Sequence, residues 1–436
     1  AAAASGDADV AVGHAEQAVA LYTTLDDPRA VAHAQTIAGR SLAGARRFSE
    51  ARELLEPALA VLRSDSDADT VMAMNELTMI ESLGGGPDSE RLSLETLVLG
   101  QRVGVDPELL AALFISRGIG LILADRHDEA IAHLAYAVEL SQRETDGVQW
   151  GRALVNLSGA LQTTDPRAAA EQAARACEHF RRIGFRFWLG VALGNLAGAM
   201  LWTGDWDAAD ETLGRALLDD GLDELHDLNQ LRAHLAALRG DLATAREIVA
   251  VADFDTSEDA QDRAYSALIR ASIAAAAGRP AEVMRHGRTV LALIDAIGIR
   301  HEVAIWAWTL TARAAHDLRD LDAVDTLLTE LDAHPVGQLP PMLRAERDLV
   351  RARVAGANGS PDVPAAYAAA VTALRRVGSP YHLAHGLLDH AEYLTRTGEH
   401  VAASTLATEA REIAERLGAR PLLERAARAT DSAAAR

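Results

Sequence analysis

In the run YHLAHGLLDH, His382, His385 and Asp389 are spaced three and four residues apart. On a helix that spacing sets all three on one face, a geometry that could hold a divalent metal. The run lacks the His-Glu-x-x-His pattern, and the histidines of the chain are scattered rather than grouped. An interhelical hydrogen bond or a cap is the better reading, and no metal is expected. The Gly-rich stretch GGGPDSE at 84 invites a phosphate cradle, but Asp88 and Glu90 would repel phosphate and no lysine follows, so it reads as a turn. The chain has no lysine at all, which excludes a Schiff-base amine and a P-loop lysine. No Gly-x-Ser-x-Gly elbow and no cysteine pair is present. No catalytic set and no cofactor are therefore expected; the chain reads as a non-enzyme.

Aromatic residues make up only 4% of the 436-residue chain, and the apolar share is mostly Ala and Leu. Such usage favours helices packed through small side chains over sheets. The formal charge of −21, with no arginine cluster, argues against a nucleic-acid surface. One cysteine, Cys177, cannot form an internal disulfide, which fits a cytoplasmic location. The uncharged stretch FWLGVALGNLAGAMLWTG from Phe187 to Gly204 approaches the length of a membrane span. Its Gly and Asn content, with repeat-like flanks, reads instead as a buried helix, and no membrane partner is expected.

The elements that position these residues follow from a phrase that recurs. TGDWDAADETLGRAL at 203 returns as LADRHDEAIAHLAYAV at 123, TGEHVAASTLATEA at 397 and SGDADVAVGHAEQAV at 5. Taking Ala209 as anchor, the equivalent positions are Ala11, Ala51, Arg91, Ala130, Ala170, Ala245, Val283, Val324, Ala366 and Ala403, a period near 39. A constant period of this size marks stacked supersecondary units. Seven residues after the anchor no residue is polar, and Cys177 stands in that column as a small buried hydrophobe. Twelve residues before it stand Gly39, Gly118, Ser158, Ala197 and further alanines, which let two helices approach closely. Each unit then reads as helix, tight turn, helix. The turn falls at Gly204, Gly240, Gly278, Gly398 or Asp125; Asp7, Ser49, Asp88, Asp128, Asp207 and Asp241 are placed to cap the second helix, and Pro166 and Pro280 fall in first turns.

The small-residue columns and the G-D-x-x-x-A turn resemble the tetratricopeptide (TPR) repeat over about residues 6–418. The units are longer than the usual 34 residues, and the proline that commonly closes a repeat is mostly missing. Longer, Pro-poor, Arg/Ala-rich units look more like the C-terminal arrays of bacterial signalling ATPases: the large ATP-binding LuxR-type regulators, and actinobacterial proteins joining a nucleotide-cyclase domain, an ATPase and repeats. The ending SPYHLAHGLLDHAEYLTRTGEHVAASTLATEAREIAERLGARPLLERA reads most like the second group. The resemblance implies a sensor or scaffold module within a signalling or transcriptional regulator, joined to an upstream ATPase domain of the same polypeptide. A free-standing adaptor and a self-assembling scaffold are the alternatives.

The expected fold is an all-α, right-handed TPR-like superhelical solenoid of ten helix pairs after a leading half unit. Residues 1–27 read as that half repeat, 28–333 as repeats, 334–418 as further repeats after an irregular linker, and 419–436 as a capping helix and tail. The chain starts in a half unit and without Met, which implies protein upstream. ADFDTSEDAQD at 252 reads as an acidic linker, and HPVGQLPP at 334 and GANGSPDVPAA at 356 flank an irregular unit. A concave trough along the first helices would bind a protein or peptide partner or a small-molecule effector. Arg152, Gln230, His234, Tyr265, Trp306, Arg313, His316, His385 and Glu392 are the candidate groove residues, with Trp306 facing the groove and Trp308 the core. Changes of superhelical pitch would report occupancy, since each unit of a solenoid is expected to touch only its neighbours.

Overall fold

The computed structural model describes residues 8–45, 47–84, 86, 88–142, 147–218, 226–251, 257, 259–358 and 362–434. Among these residues the chain is helical throughout and holds no strand. Helix α1 (Ala8–Thr24) precedes ten hairpins. Repeats 1 to 5 are α2 (Pro28–Gly44) with α3 (Phe48–Leu62), α4 (Ala68–Leu83) with α5 (Ser89–Val103), α6 (Pro107–Leu123) with α7 (His127–Ser141), α8 (Val148–Leu161) with α9 (Pro166–Ile183), and α10 (Arg186–Thr203) with α11 (Trp206–Leu218). Repeats 6 and 7 are α12 (His226–Arg239) with α13 (Leu242–Val251) and α14 (Ala260–Ala276) with α15 (Pro280–Leu291). After the one-turn helix α16 (Ile294–Ile297), repeats 8 to 10 are α17 (Glu302–Asp317) with α18 (Leu321–Asp332), α19 (Pro341–Ala357) with α20 (Val363–Val377), and α21 (Pro380–Thr397) with α22 (His400–Leu417). Helix α23 (Arg420–Ala434) follows. The architecture is a TPR-like helical repeat solenoid.

Local chemistry explains the punctuation. Gly204, Gly240, Gly278 and Gly398 all sit at positive φ between the two helices of their repeats, a backbone state that glycine adopts without a Cβ clash. Asp125 takes the same role with φ 57. Pro166 and Pro280 open their helices as expected. Most caps lie elsewhere than expected. Asp27, Asp67, Asp106 and Asp165 accept from backbone N–H groups at the starts of first helices, and of α9 in the last case. Asp241 does cap, accepting from Thr244 N at 3.2 Å. Asp88 makes no capping bond, Ser49, Asp128 and Asp207 fall inside first turns, and Asp7 lies outside the described residues. Most of the acidic linker at 252 and parts of the breaks at 84 and 356 also lie outside them.

The anchor column is buried at Ala51, Ala130, Ala209, Ala245, Val283, Val324 and Ala403. It slips at three places. Arg91 is exposed and α5 buries Leu92, Ser93, Thr96, Leu97 and Gly100 instead; Ala169 replaces Ala170; Ala366 gives way to Val363, Tyr367, Ala370 and Leu374. Cys177 is buried as expected, and burial pushes its thiol up to about 12, far from a reactive thiolate.

The expectation that each repeat touches only its neighbours does not hold. The Asp125 carboxylate, in the turn of repeat 3, accepts from Ile299 N (3.2 Å) and Arg300 N (3.1 Å), just before repeat 8. Gly204, in the turn of repeat 5, packs on Pro380 and Leu417 of repeat 10. Gly240, in the turn of repeat 6, lies against Pro421 of α23, and Arg420 donates to its carbonyl at 2.7 Å. The same offset of five repeats recurs each time, so the superhelix completes a turn in about five repeats and closes on itself. This explains the uncharged stretch at 187–204. Helix α10 packs within its own turn and, through Trp202, across the axis on Trp306 and His382, so every residue from 187 to 204 is buried or half-buried. Among the described residues no helix is long and apolar enough to cross a membrane.

Candidate functional site

The first helices carry the inner face, and that face differs between the two halves of the molecule. In repeats 5 to 10 it is filled by the protein's own side chains. Trp306 is 3% exposed, between Trp202 (ring centroids 5.2 Å), His234 (5.1 Å), Tyr381 (5.3 Å) and His382 (4.7 Å). His234 Nδ1 lies 3.0 Å from the Ser272 hydroxyl, and burial pulls its imidazole down to about 4, so the ring is neutral at pH 7.

Beside this aromatic axis lies an ionic network. Arg313 donates to Asp389 (3.0 Å) on α21 and to Glu346 (3.0 Å) on α19. Glu346 also accepts from His382 Nδ1 at 2.7 Å. Asp389 further accepts from Arg425 of α23 at 2.5 Å, and Arg425 reaches Glu392 (2.8 Å) and His385 Nδ1 (3.2 Å). Arg353 donates to His316 Nδ1 (2.9 Å) and Asp317 (3.1 Å). Burial alone would raise the Asp389 carboxyl, but Arg353, Arg313 and Arg425 outweigh it and hold the group far below the usual carboxylate range. Burial likewise opposes Glu346, whose carboxyl Arg313 and His382 keep low. The run at 382–389 is thus engaged in ion pairs and interhelical hydrogen bonds. Among the described residues no group of three His, Cys, Asp or Glu side chains is placed to hold a metal.

In repeats 1 to 5 the inner face is more open. Met72, Met79, Ile119, Arg152, Asn156, Trp188, Val191 and Asn195 are each partly exposed. Arg152 lies within electrostatic reach of Glu76 and Arg40, two and three repeats back. Glu76 is held by Arg40 Nε at 2.7 Å. Arg152 stands over the Trp188 ring, 5.2 Å from its centroid, and donates Nη1 to Gln149 Oε1 at 3.1 Å. Its Nε is buried without a hydrogen-bond partner, and burial lowers the guanidinium below its ordinary value. Asn156 and Asn195 use their Nδ2 groups on the Arg152 (2.8 Å) and Val155 (2.9 Å) carbonyls.

Of the candidate groove residues, Gln230, His234, Trp306 and Arg313 are buried, His234 and Trp306 in ring contact on the axis and Arg313 in the ionic network beside it, and Trp308 is buried in a separate core with its Nε1 donating to Leu327 O. His316, His385 and Glu392 edge the ionic network, and Tyr265 donates its hydroxyl to Glu302. Arg152 alone of the nine lies on the open half. Sequence reasoning missed Trp188, Asn156, Asn195, Glu346, Arg353 and Arg425. A usable signal was present: four of the pairs, Arg40–Glu76, Asp317–Arg353, Glu346–His382 and Asp389–Arg425, lie 36 apart in sequence.

No family model matches the chain, and no curated protein matches it in sequence. Among solved structures it is similar to Rap protein complexed with competence and sporulation factor, at 13% identity over 88% of this chain and 98% of that one (TM-score 0.47). It is also similar to the human IFIT1 dimer with m7Gppp-AAAA, at 12% identity over 91% and 90% (TM-score 0.47). A further likeness is to the apo form of the quorum sensor NprR from B. thuringiensis, at 14% identity over 85% and 94% (TM-score 0.40). Likenesses at this level carry no inference about activity or partner.

Proposed function

We propose that the chain is a non-catalytic interaction module that takes an extended segment of a protein partner along the inner face of repeats 2 to 5. One observation carries this reading. The inner face is closed by the protein's own aromatic and ionic side chains from Trp202 onward, whereas on α4, α6, α8 and α10 it mixes apolar and polar groups that stay partly exposed. A face of that composition suits a peptide better than a small effector, because its partly exposed apolar and polar groups are spread over four successive first helices. In the fuller form of the proposal, the module serves a larger cytoplasmic ATP-dependent signalling or transcriptional regulator and relays occupancy to an ATPase domain of the same polypeptide. Residues 28–333 and 334–418 would then act as one sensing unit, with 419–436 as its cap.

Selection from a displayed library of random peptides tests the first claim. A selected peptide is expected to slow amide exchange on α4, α6, α8 and α10, and its affinity to fall on Trp188→Ala. Protection confined to α17–α21, or to the outer helices α5, α7 and α9, would overturn it. The wider claim is checked by whether the selected peptide changes ATP hydrolysis by the protein expressed from its complete reading frame.

A further inference from the structure

Several arginines of the first helices are matched by acids, and Arg152 is not. Arg40 meets Glu76 at 2.7 Å, Arg313 meets Glu346 and Asp389 at 3.0 Å each, Arg353 meets Asp317 at 3.1 Å and Arg425 meets Asp389 and Glu392. Arg152 meets no carboxylate within bonding distance among the described residues. Its Nη1 is occupied by Gln149, and its Nε is closed off without a partner, which leaves Nη2 as the unpartnered donor that an incoming group can reach. Glu76, the acid within electrostatic reach, is already held by Arg40. Withdrawing a guanidinium from water without a counter-ion is costly, and the Trp188 ring beneath it offsets only part of that cost.

We propose that the trough recognises an acidic side chain of an extended peptide, with Arg152 receiving the carboxylate on its unpartnered Nη2 and Trp188 forming the wall. The proposal rests on the function given above and names the partner chemistry of the same site. The carboxylate belongs to a side chain rather than a chain terminus, because the trough continues past Arg152 in both directions. On one side lie Glu76 and Arg40, and on the other Val191 and Asn195. Asn156 and Asn195 each keep a side-chain carbonyl available to accept from the backbone N–H groups of a passing chain. The net charge of −21 repels strongly acidic segments at long range. The recognised segment therefore carries a single Asp or Glu among neutral or basic residues.

The test uses the full chain and a library of random twelve-residue peptides displayed without free ends. Selected sequences are expected to align on one acidic position. Synthetic copies, acetylated and amidated, are then measured against wild type, Arg152→Gln and Arg152→Met. Replacing the acid by its amide should weaken binding to wild type about tenfold or more and leave binding to Arg152→Met unchanged. The melting temperature of Arg152→Met should stay level or rise, since the variant removes an unbalanced charge; a structural arginine would lower it. Selected peptides without an acidic column, or equal affinity of the acid and amide forms on wild type, overturn the proposal while leaving the binding trough standing. Binding that requires a free C-terminal carboxylate overturns the side-chain assignment. If no peptide is selected, the proposed function fails and this inference with it. Should Arg152→Met not fold, the acid-to-amide change in the peptide decides the question on wild type alone.

Discussion

Arg313 shows how a single side chain holds the closed half of the molecule. It joins α17 to α19 and α21 through Glu346 and Asp389, which are both 1% exposed at the side chain. Removing one member of a buried ionic set leaves charge without a partner, so Arg313→Met is expected to cost about 3–5 kcal/mol, read by urea unfolding. Trp306→Ala should cost a similar amount, about 3–5 kcal/mol, because the ring touches four others on the axis. Titration behaviour follows from burial as well. His127 is pulled down to about 3 and His234 to about 4, in each case chiefly by burial, and His385 lies well below the ordinary value. Unfolded histidine titrates near 6.5, so between about pH 6.5 and 4 the unfolded chain takes up protons that the folded chain refuses. Stability is therefore full above pH 6.5 and declines as pH falls through that window, by up to about 1.4 kcal/mol per pH unit for each such histidine. His234→Gln should make the measured slope shallower by one proton; an unchanged slope would remove His234 from this account.

At the scale of the hairpin, one contact recurs. The small residue twelve before the anchor faces the leucine four after it: a Cβ on Gly39 would meet Leu55 Cγ at 2.6 Å, and one on Gly118 would meet Leu134 Cγ at 2.7 Å. Gly118→Ala should therefore destabilise by about 1–3 kcal/mol despite the better helix propensity of alanine. Gly214, in the interior of α11 with nothing within 4 Å of its Cβ site, should gain up to about 1 kcal/mol on the same change. Thermal unfolding of the two variants separates close packing from propensity. Hairpins were legible in the sequence because glycine turns and small-residue columns are local signals with a fixed period. The slips at Arg91 and Ala366 occurred where columns are polar or alanine-rich on several faces, so that spacing alone does not choose the buried one. The partly exposed trough was harder to read. Whether an inner-face residue meets water depends on what crosses the axis from five repeats away, and no local pattern records that. Opposite charges 36 apart, one helical turn short of the period, were the available clue, since they mark side chains that meet between neighbouring repeats.

For the whole molecule, closure of the superhelix decides what the chain can do. A solenoid whose repeats touch only their neighbours would stretch like a spring along its length. Here the turns of repeats 3, 5 and 6 are joined to repeats 8 and 10 and to α23, so pitch cannot change without breaking Asp125, Gly204 or Gly240 contacts. Changes on partner binding are thus expected in the open first half, with the closed half moving as a block. Filling of the axis by Trp202, Trp306 and His382 is also why the proposed binding face is placed in the half where Arg152 lies. Amide exchange of Asp125→Ala against wild type tests this arrangement most directly. The substitution removes both acceptors from Ile299 N and Arg300 N. The account predicts faster exchange at 299–305, at the entry to α17, as well as around the turn at 124–126. Faster exchange confined to the neighbourhood of residue 125, with 299–305 unchanged, would show that repeats five apart do not hold one another and would contradict it.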